Sequence, residues 1–452
     1  MNESATDPTP SGADPSGADT PPARRGTLGT IFLTVFVDLI GFAVIFPLFP
    51  GMLEYYEANE PAGSLFHRLV AWLREVGGDE ANVIVLFGGL LGSLYSILQF
   101  LFAPVWGRLS DRSGRRPILL VTIAGLALSY VLWFFSGSFV LLLAARLLGG
   151  VMSGNIAVAT AAIADSTTAK GRSRGMALIG IAFGLGFTLG PALGGLLSLV
   201  DLGELAPGLR AWGVNPFSAA AAGSFLLSAW NLLWVVRRFP ETLEPERRGK
   251  VRTHRTINPL KLFGTTEFPG VLRANLVYFI YFLAFSAMEF TLVFLAHERL
   301  GYDAIDNAWI FVWVGVLMAL VQGGVVRRVV TRTGEKKLGL LGIVLTVPGM
   351  LVVGVAQSSP VLYLGLAFLA TGGAMVTPCL SGLVSLYTPA ERQGEVLGVF
   401  RSLGALARAV GPVLGCVIYW SFGSAWPYYA SAALMVVPVL LAAGLREPPR
   451  EG

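Results

Sequence analysis

Gly107-Arg108-Leu109-Ser110-Asp111-Arg112-Ser113-Gly114-Arg115-Arg116-Pro117 lies between two long apolar runs, Val83 to Val105 and Ile118 to Phe135. Each run has about twenty residues, enough for a helix to cross a bilayer. A loop between two spanning helices needs only to be polar. This one places four arginines, one aspartate and two glycines in eleven positions, so it reads as a built turn. Gly107 lets the first helix end against a neighbour, and Gly114 permits a positive-φ turn. Asp111 is the only acid among four bases and calls for a dedicated partner.

Working outward, the same alternation of apolar runs and short polar loops covers most of the chain. The 452 residues are 54% hydrophobic and only 13% charged, too few charges for the surface of a soluble protein of this length. Spanning helices are expected near 28–50, 83–105, 117–136, 139–164, 175–200 and 216–236. A second group follows near 271–296, 307–326, 338–356, 361–387, 396–420 and 426–445. The fold class is therefore an all-α membrane protein of twelve helices in two six-helix halves. The corresponding division is a disordered tail over 1–27, a first half over 28–236, a central loop over 237–270, a second half over 271–445 and a tail over 446–452. The first 26 residues hold no apolar core for a cleaved signal, so the first span also targets the chain.

Lysine and arginine set the orientation. Arg24, Arg25, the arginines of 108–116, Lys170, Arg172, Arg174, the central loop, Arg327 to Lys337, Arg392, Arg446 and Arg450 share one face. Opposite lie only Arg68, Arg74, Arg210 and Arg299. Both termini are expected in the cytoplasm and the chain in the cell membrane. The net charge of +5 is this asymmetry and does not suggest nucleic acid. The basic central loop, with Arg237, Arg238, Arg247, Arg248, Lys250, Arg252, Arg255 and Lys261, reads as a solvated linker able to touch anionic headgroups. Ser64 to Val76 reads as an amphipathic helix on the outer headgroup layer, with Leu65, Phe66, Leu69, Trp72, Leu73 and Val76 on one face.

The halves repeat. Gly114 corresponds to Gly334 at a spacing of 220, and Gly190-Pro191 to Gly411-Pro412 at 221. Arg112 corresponds to Arg332, but Asp111 to Thr331, so the second copy of the loop lacks the acid. Small residues recur every fourth position at Gly88/Gly92/Ser96, Gly186/Gly190/Gly194, Gly315/Ala319/Gly323 and Ala407/Gly411/Gly415. Such stripes allow close helix packing, and the four helices that carry them are related in pairs by the repeat.

The turn G-x-L-x-D-R-x-G-R-R-P, with its flanking helices, resembles the loop between the second and third helices of the major facilitator superfamily. Asp38-Leu-Ile-Gly41-Phe-Ala-Val-Ile-Phe-Pro47-Leu-Phe-Pro50 resembles the first helix of its tetracycline-type drug:proton antiporters. Arg146-Leu-Leu-Gly-Gly150 resembles the fourth-helix motif, where the arginine is implicated in proton coupling. Gly186 to Gly195, ending Gly190-Pro191-Ala-Leu-Gly194-Gly195, resembles the fifth-helix antiporter motif. The resemblance implies that Asp165 pairs with Arg115, and that Asp111 faces the positive end of the eleventh helix near Gly394–Gly398. The runs Met288 to Arg299 and Arg401 to Pro412 resemble the animal tetracycline-transporter-like group, associated with organic anion efflux. That likeness makes Arg408 and Arg401 candidate anion partners.

No nucleotide loop, metal cluster or nucleophile–base set is visible; Gly184-x-Gly186 lies inside a span with no strand before it. Neither an enzyme nor a cofactor is expected. Charges inside spans are costly and mark function. Asp38, Arg146 and Glu289 are the proton-coupling candidates. Ion pairs across a central cavity, Arg146 with Glu289 and Asp38 with Arg408, would relieve their burial. Gln99, Asn155, Tyr281, Gln322 and Arg408 are the substrate candidates. Gly107, Asp111, Arg112, Gly114, Arg115 and Asp165 form the conformational-switch loop. The expected function is a proton-coupled antiporter exporting an amphipathic organic compound by alternating access. It would act as a monomer, with a small-molecule substrate, protons and the bilayer as partners. The alternatives are an organic anion carrier not driven by protons, and a transporter-like receptor or scaffold that moves nothing.

Overall fold

The computed structural model describes residues 25–77, 83–167, 169–249, 268, 270–389 and 392–447. Lys250, Arg252, Arg255 and Lys261 of the central loop lie outside them, as does the stretch before Arg25. Among the described residues, twelve helices are long and apolar enough to span a membrane. They are α1 (Thr27–Asn59), α2 (Val85–Ser113), α3 (Arg115–Phe134), α4 (Phe139–Ser166), α5 (Leu178–Leu205), α6 (Ser218–Arg238), α7 (Val271–Leu300), α8 (Ala304–Thr333), α9 (Glu335–Val355), α10 (Ser359–Leu386), α11 (Val396–Phe422) and α12 (Trp426–Ala443). The first six and the last six form two six-helix halves.

Several spans are interrupted where the sequence suggested unbroken helix. α1 tightens at Phe46–Leu48, where Pro47 removes an amide. α4 breaks at Ser153-Gly154, between Phe139–Met152 and Asn155–Ser166. The carbonyls freed by that break are taken up by α2: Trp106 Nε1 donates to Val151 at 2.6 Å and Gln99 Nε2 to Ser153 at 3.4 Å. Backbone groups at membrane depth need such partners. α8 carries a π-helical stretch at Val321–Val326, around Gly323-Gly324.

The repeat is visible in the backbone. Gly114 (φ 102, ψ 158) ends α2 and starts α3; Gly334 (φ 82, ψ 159) does the same between α8 and α9. Side chains with a Cβ rarely adopt this conformation.

The four striped helices meet in pairs across the seam, α2 with α11 and α5 with α8, while their stripes divide the work. On α5, a Cβ at Gly186 would meet Leu39, one at Gly190 would lie 2.7 Å from Cβ of Ala43, and one at Gly194 would strike the Val44 carbonyl. That stripe packs on α1 of its own half. The repeat-related stripe on α11 packs likewise on α7, with Gly411 against Ser286 and Gly415 against Ala287. Only α2 and α8 turn their stripes to the other half, Gly88 and Gly92 toward Phe294 and Phe290 and Gly315 toward Thr188. The reason is spacing: a stripe shows that a helix can approach closely, and topology selects the partner.

The halves meet toward the face away from the chain ends. There Gly195 lies against Ala304 and Ala308, and Gly89 against Cys416. Toward the terminal face the same helices separate. A Cβ at Gly180, Gly184, Gly323, Gly324 or Gly398 would meet nothing within 4 Å. This state is closed on one side and open on the side carrying the 107–117 turn.

The amphipathic helix, Leu65–Gly77, also departs from expectation. Phe66, Val70 and Leu73 are buried in the main core, and Phe66 packs against Tyr56, Phe87 and Phe139. The helix caps the first half, leaving Leu65 and Trp72 exposed. Its apolar residues found protein before they found lipid.

Candidate functional site: a central cavity and a basic turn

The cavity lies between the halves. Its walls include Phe42, Phe46 and Phe49 of α1, Phe187 of α5, Phe290 of α7 and Phe311 of α8. Against this aromatic lining stand one acid and one base, Glu289 and Arg408. Ser96 and Ser286 add hydroxyls. About 530 Å³ of empty space, part of it open, lies between these walls. A lipophilic molecule with one or two polar groups suits such a lining.

Arg408 owes its place to α11, which Gly411 and Gly415 bring close to α7. Its guanidinium carbon stands 5.3 Å from the Phe183 ring and 5.4 Å from the Phe282 ring, so it bridges α5 and α7 by cation–π contact. Arg401 is two turns away on the same face of α11, toward the open side. Nearby, Tyr278 stacks on Phe400 with centroids 3.7 Å apart.

The expected ion pairs across the cavity are absent among the described residues in this state. Arg146 lies over the Tyr95 ring at 4.5 Å, inside the first half, and does not reach Glu289. Asp38 faces Asn155 on α4, which is buried. The physical reason is that Arg146 found a nearer partner in its own half, whereas Arg408 rests on rings from both halves.

The substrate candidates scatter. Arg408 lines the cavity, whereas Gln99 serves the α4 break. Tyr281 is buried, 1% exposed, with its hydroxyl unpaired. Gln322 is exposed in the π-helical stretch of α8.

The 107–117 turn is a closed polar cluster. Arg115 is buried; Nη1 meets Asp111 Oδ1 at 2.5 Å, and Nε donates to Asp165 Oδ2 at 2.8 Å. The Ser110 hydroxyl accepts from Arg115 Nη1 at 2.7 Å. Arg112 is exposed. The start of the eleventh helix at Gly394, toward which the family resemblance directs Asp111, has its side chains outside the described residues.

One residue of this cluster escaped the sequence reading. Glu241 Oε1 accepts from the backbone amides of Arg115 (2.8 Å), Thr242 (3.0 Å) and Leu243 (3.0 Å), and Oε2 from Arg116 (3.2 Å). It caps the α3 N-terminus and ties the central loop to the turn. The signal was its position: it is the first acid after α6, in Pro240-Glu241-Thr242, facing a basic loop.

Residues 31–412 and 323–452 match the family described as Major Facilitator Superfamily. Major facilitator superfamily domain-containing protein 10 of Bos taurus is 38% identical, over 97% of this chain and 98% of its own length. The class B tetracycline resistance protein of Escherichia coli is 30% identical, over 85% and 86%. The crystal structure of the human organic anion transporter MFSD10 (TETRAN) superposes with a TM-score of 0.72 at 36% identity, over 92% and 99%.

Proposed function

The chain belongs to the Major Facilitator Superfamily, and from that premise we propose that it is a proton-coupled antiporter exporting small amphipathic organic compounds by alternating access. It sits as a monomer in the cell membrane with both termini in the cytoplasm. The open face is then cytoplasmic, so the state described is the one that loads an exported substrate. The observation that carries the reading is the aromatic cavity holding Glu289 and Arg408. Rings accept a lipophilic body, and the guanidinium accepts an acidic group. Arg401 extends this cationic lane toward the cytoplasm. Relatives named as tetracycline resistance proteins support export of a compound of this kind.

Coupling is assigned to the buried carboxylates. Asp38 and Glu289 lie in different halves and have no cation within ion-pair distance among the described residues. Each can bind or release a proton as the halves rock and water reaches one face and then the other. Arg146, held over Tyr95, keeps a positive charge inside the first half.

A second reading, an organic anion carrier not driven by protons, is favoured by Arg408 standing between two rings and by the relative described as an organic anion transporter. Proteoliposomes separate the two. Flux of tetracycline and of a lipophilic carboxylate is measured with and without a pH gradient. Antiport requires acceleration by the gradient and proton movement opposite to substrate. Equal flux in both conditions supports the anion carrier, and absence of any flux supports a receptor or scaffold.

A further inference from the structure

Among the described residues, a single ion pair joins the two halves: His297 Nε2 on α7 and Glu54 Oε1 on α1, 2.8 Å apart. It sits on the closed face, above the seam. Phe294 and Phe290, three and seven residues before it, share its helical face. Phe294 meets Gly88, and Phe290 lies 5.4 Å from Phe49 between ring centroids.

The other ring nitrogen is engaged as well. α7 ends at Gly301 (φ 67), where the chain reverses, and the amide of Tyr302 bonds back to Ala296 at 3.3 Å. That turn sets the Tyr302 carbonyl 2.8 Å from Nδ1. Carbonyl and carboxylate oxygens accept only, so this arrangement needs a proton on both ring nitrogens. The neighbouring charges are committed elsewhere. Glu298 accepts from Tyr419 and Ser424, and Arg299 donates to Ser424, Gly354 and Ala356. Asp303 and Asp306 cap α8. Glu57 holds Arg74, and Glu60 accepts from the Phe139 amide. Glu54 is thus the one described charge that meets the ring, and both side chains reach solvent, at 35% and 56% exposure.

We propose that His297 and Glu54 are a pH-dependent latch holding this face closed. With the imidazole doubly protonated the latch is made. As pH on that side rises through the range where histidine titrates, near 6.5 when unperturbed, Nε2 loses its proton, the charge attraction is lost and the face is freer to open. A solvent-facing pair shifts the balance between closed and open by about two- to fivefold.

The test uses the full chain with Cys379 and Cys416 replaced by alanine and spin labels at Ala62 and Gln357, both exposed on the closed face. Electron-electron distances are read from pH 5.5 to 8. The expected result is a closed population that falls as pH rises. In His297→Lys it stays high throughout, and in Glu54→Gln it is low and independent of pH. A pH-independent distribution in the parent protein, or a pH response that persists in Glu54→Gln, overturns the latch. No substrate is needed, so the outcome is independent of the transport reaction.

Discussion

Glu241 accepts the backbone amide of Arg115 at 2.8 Å, so the acid that follows α6 holds the first turn of α3. The contact spans 126 residues of sequence and ties the central loop to the 107–117 turn. Glu241→Ala leaves a cluster of amides without their charged acceptor. It should cost about 1–3 kcal/mol, read as a lower midpoint in thermal unfolding, with expression retained. An unchanged midpoint would show that water replaces the carboxylate.

Asp111 and Asp165 share one guanidinium, but their expected roles differ. Asp165 orients Arg115 from α4, whereas Asp111 is the acid assigned to the conformational switch. Asp111→Asn should express normally, bind substrate and transport slowly, because the neutral amide keeps the shape and loses the charge. Normal transport by this variant would reduce the turn to a topology signal.

Orientation is tested by labelling. With both native cysteines replaced, a cysteine at Ser113 should react only with reagents that reach the cytoplasm, and one at Gly63 with an impermeant external reagent. Both positions are exposed, on opposite faces. Reaction of position 113 from outside intact cells reverses the assignment of the open face.

The glycine stripe on α5 is a packing surface for α1. A Cβ at Gly190 would approach the Ile40 carbonyl to 2.8 Å and Ala43 to 2.7 Å. Gly190→Val should therefore push α5 from α1, costing about 1–3 kcal/mol as overpacking does. Transport should fall, because Asp38 lies on the displaced segment. Gly184→Ala, where a Cβ meets nothing within 4 Å, should be near neutral in this state. Equal damage from both variants would refute the packing account.

Asp38 is the main coupling candidate, and substitution distinguishes it from Glu289. Asp38→Asn fixes the neutral form, so transport driven by a pH gradient should be lost while substrate–substrate exchange persists. If pH-driven flux survives in Asp38→Asn and disappears in Glu289→Gln, coupling belongs to α7.

Much of this was legible in the chain itself. Runs of apolar residues determine spans because a bilayer admits only helices whose backbone is internally satisfied. Gly114 and Gly334 mark matching turns because glycine alone tolerates that backbone freely. The charged residues inside the spans were visible as costly exceptions.

Partner choice was decided only in three dimensions. Spacing along a helix shows that Gly186, Gly190 and Gly194 form a flat face, but not that the face covers α1. Depth along the spans placed Arg146 level with Glu289 and Asp38 level with Arg408. Lateral position gave Arg146 to Tyr95, Arg408 to two phenylalanines, and Asp38 to the neighbourhood of Asn155. Glu241 and His297 show the same limit. Their partners stand 126 and 243 residues away, brought near by packing that no local pattern encodes. Local propensity and hydrophobic periodicity act over a few turns. Which charge meets which is set by how twelve helices share one small cross-section.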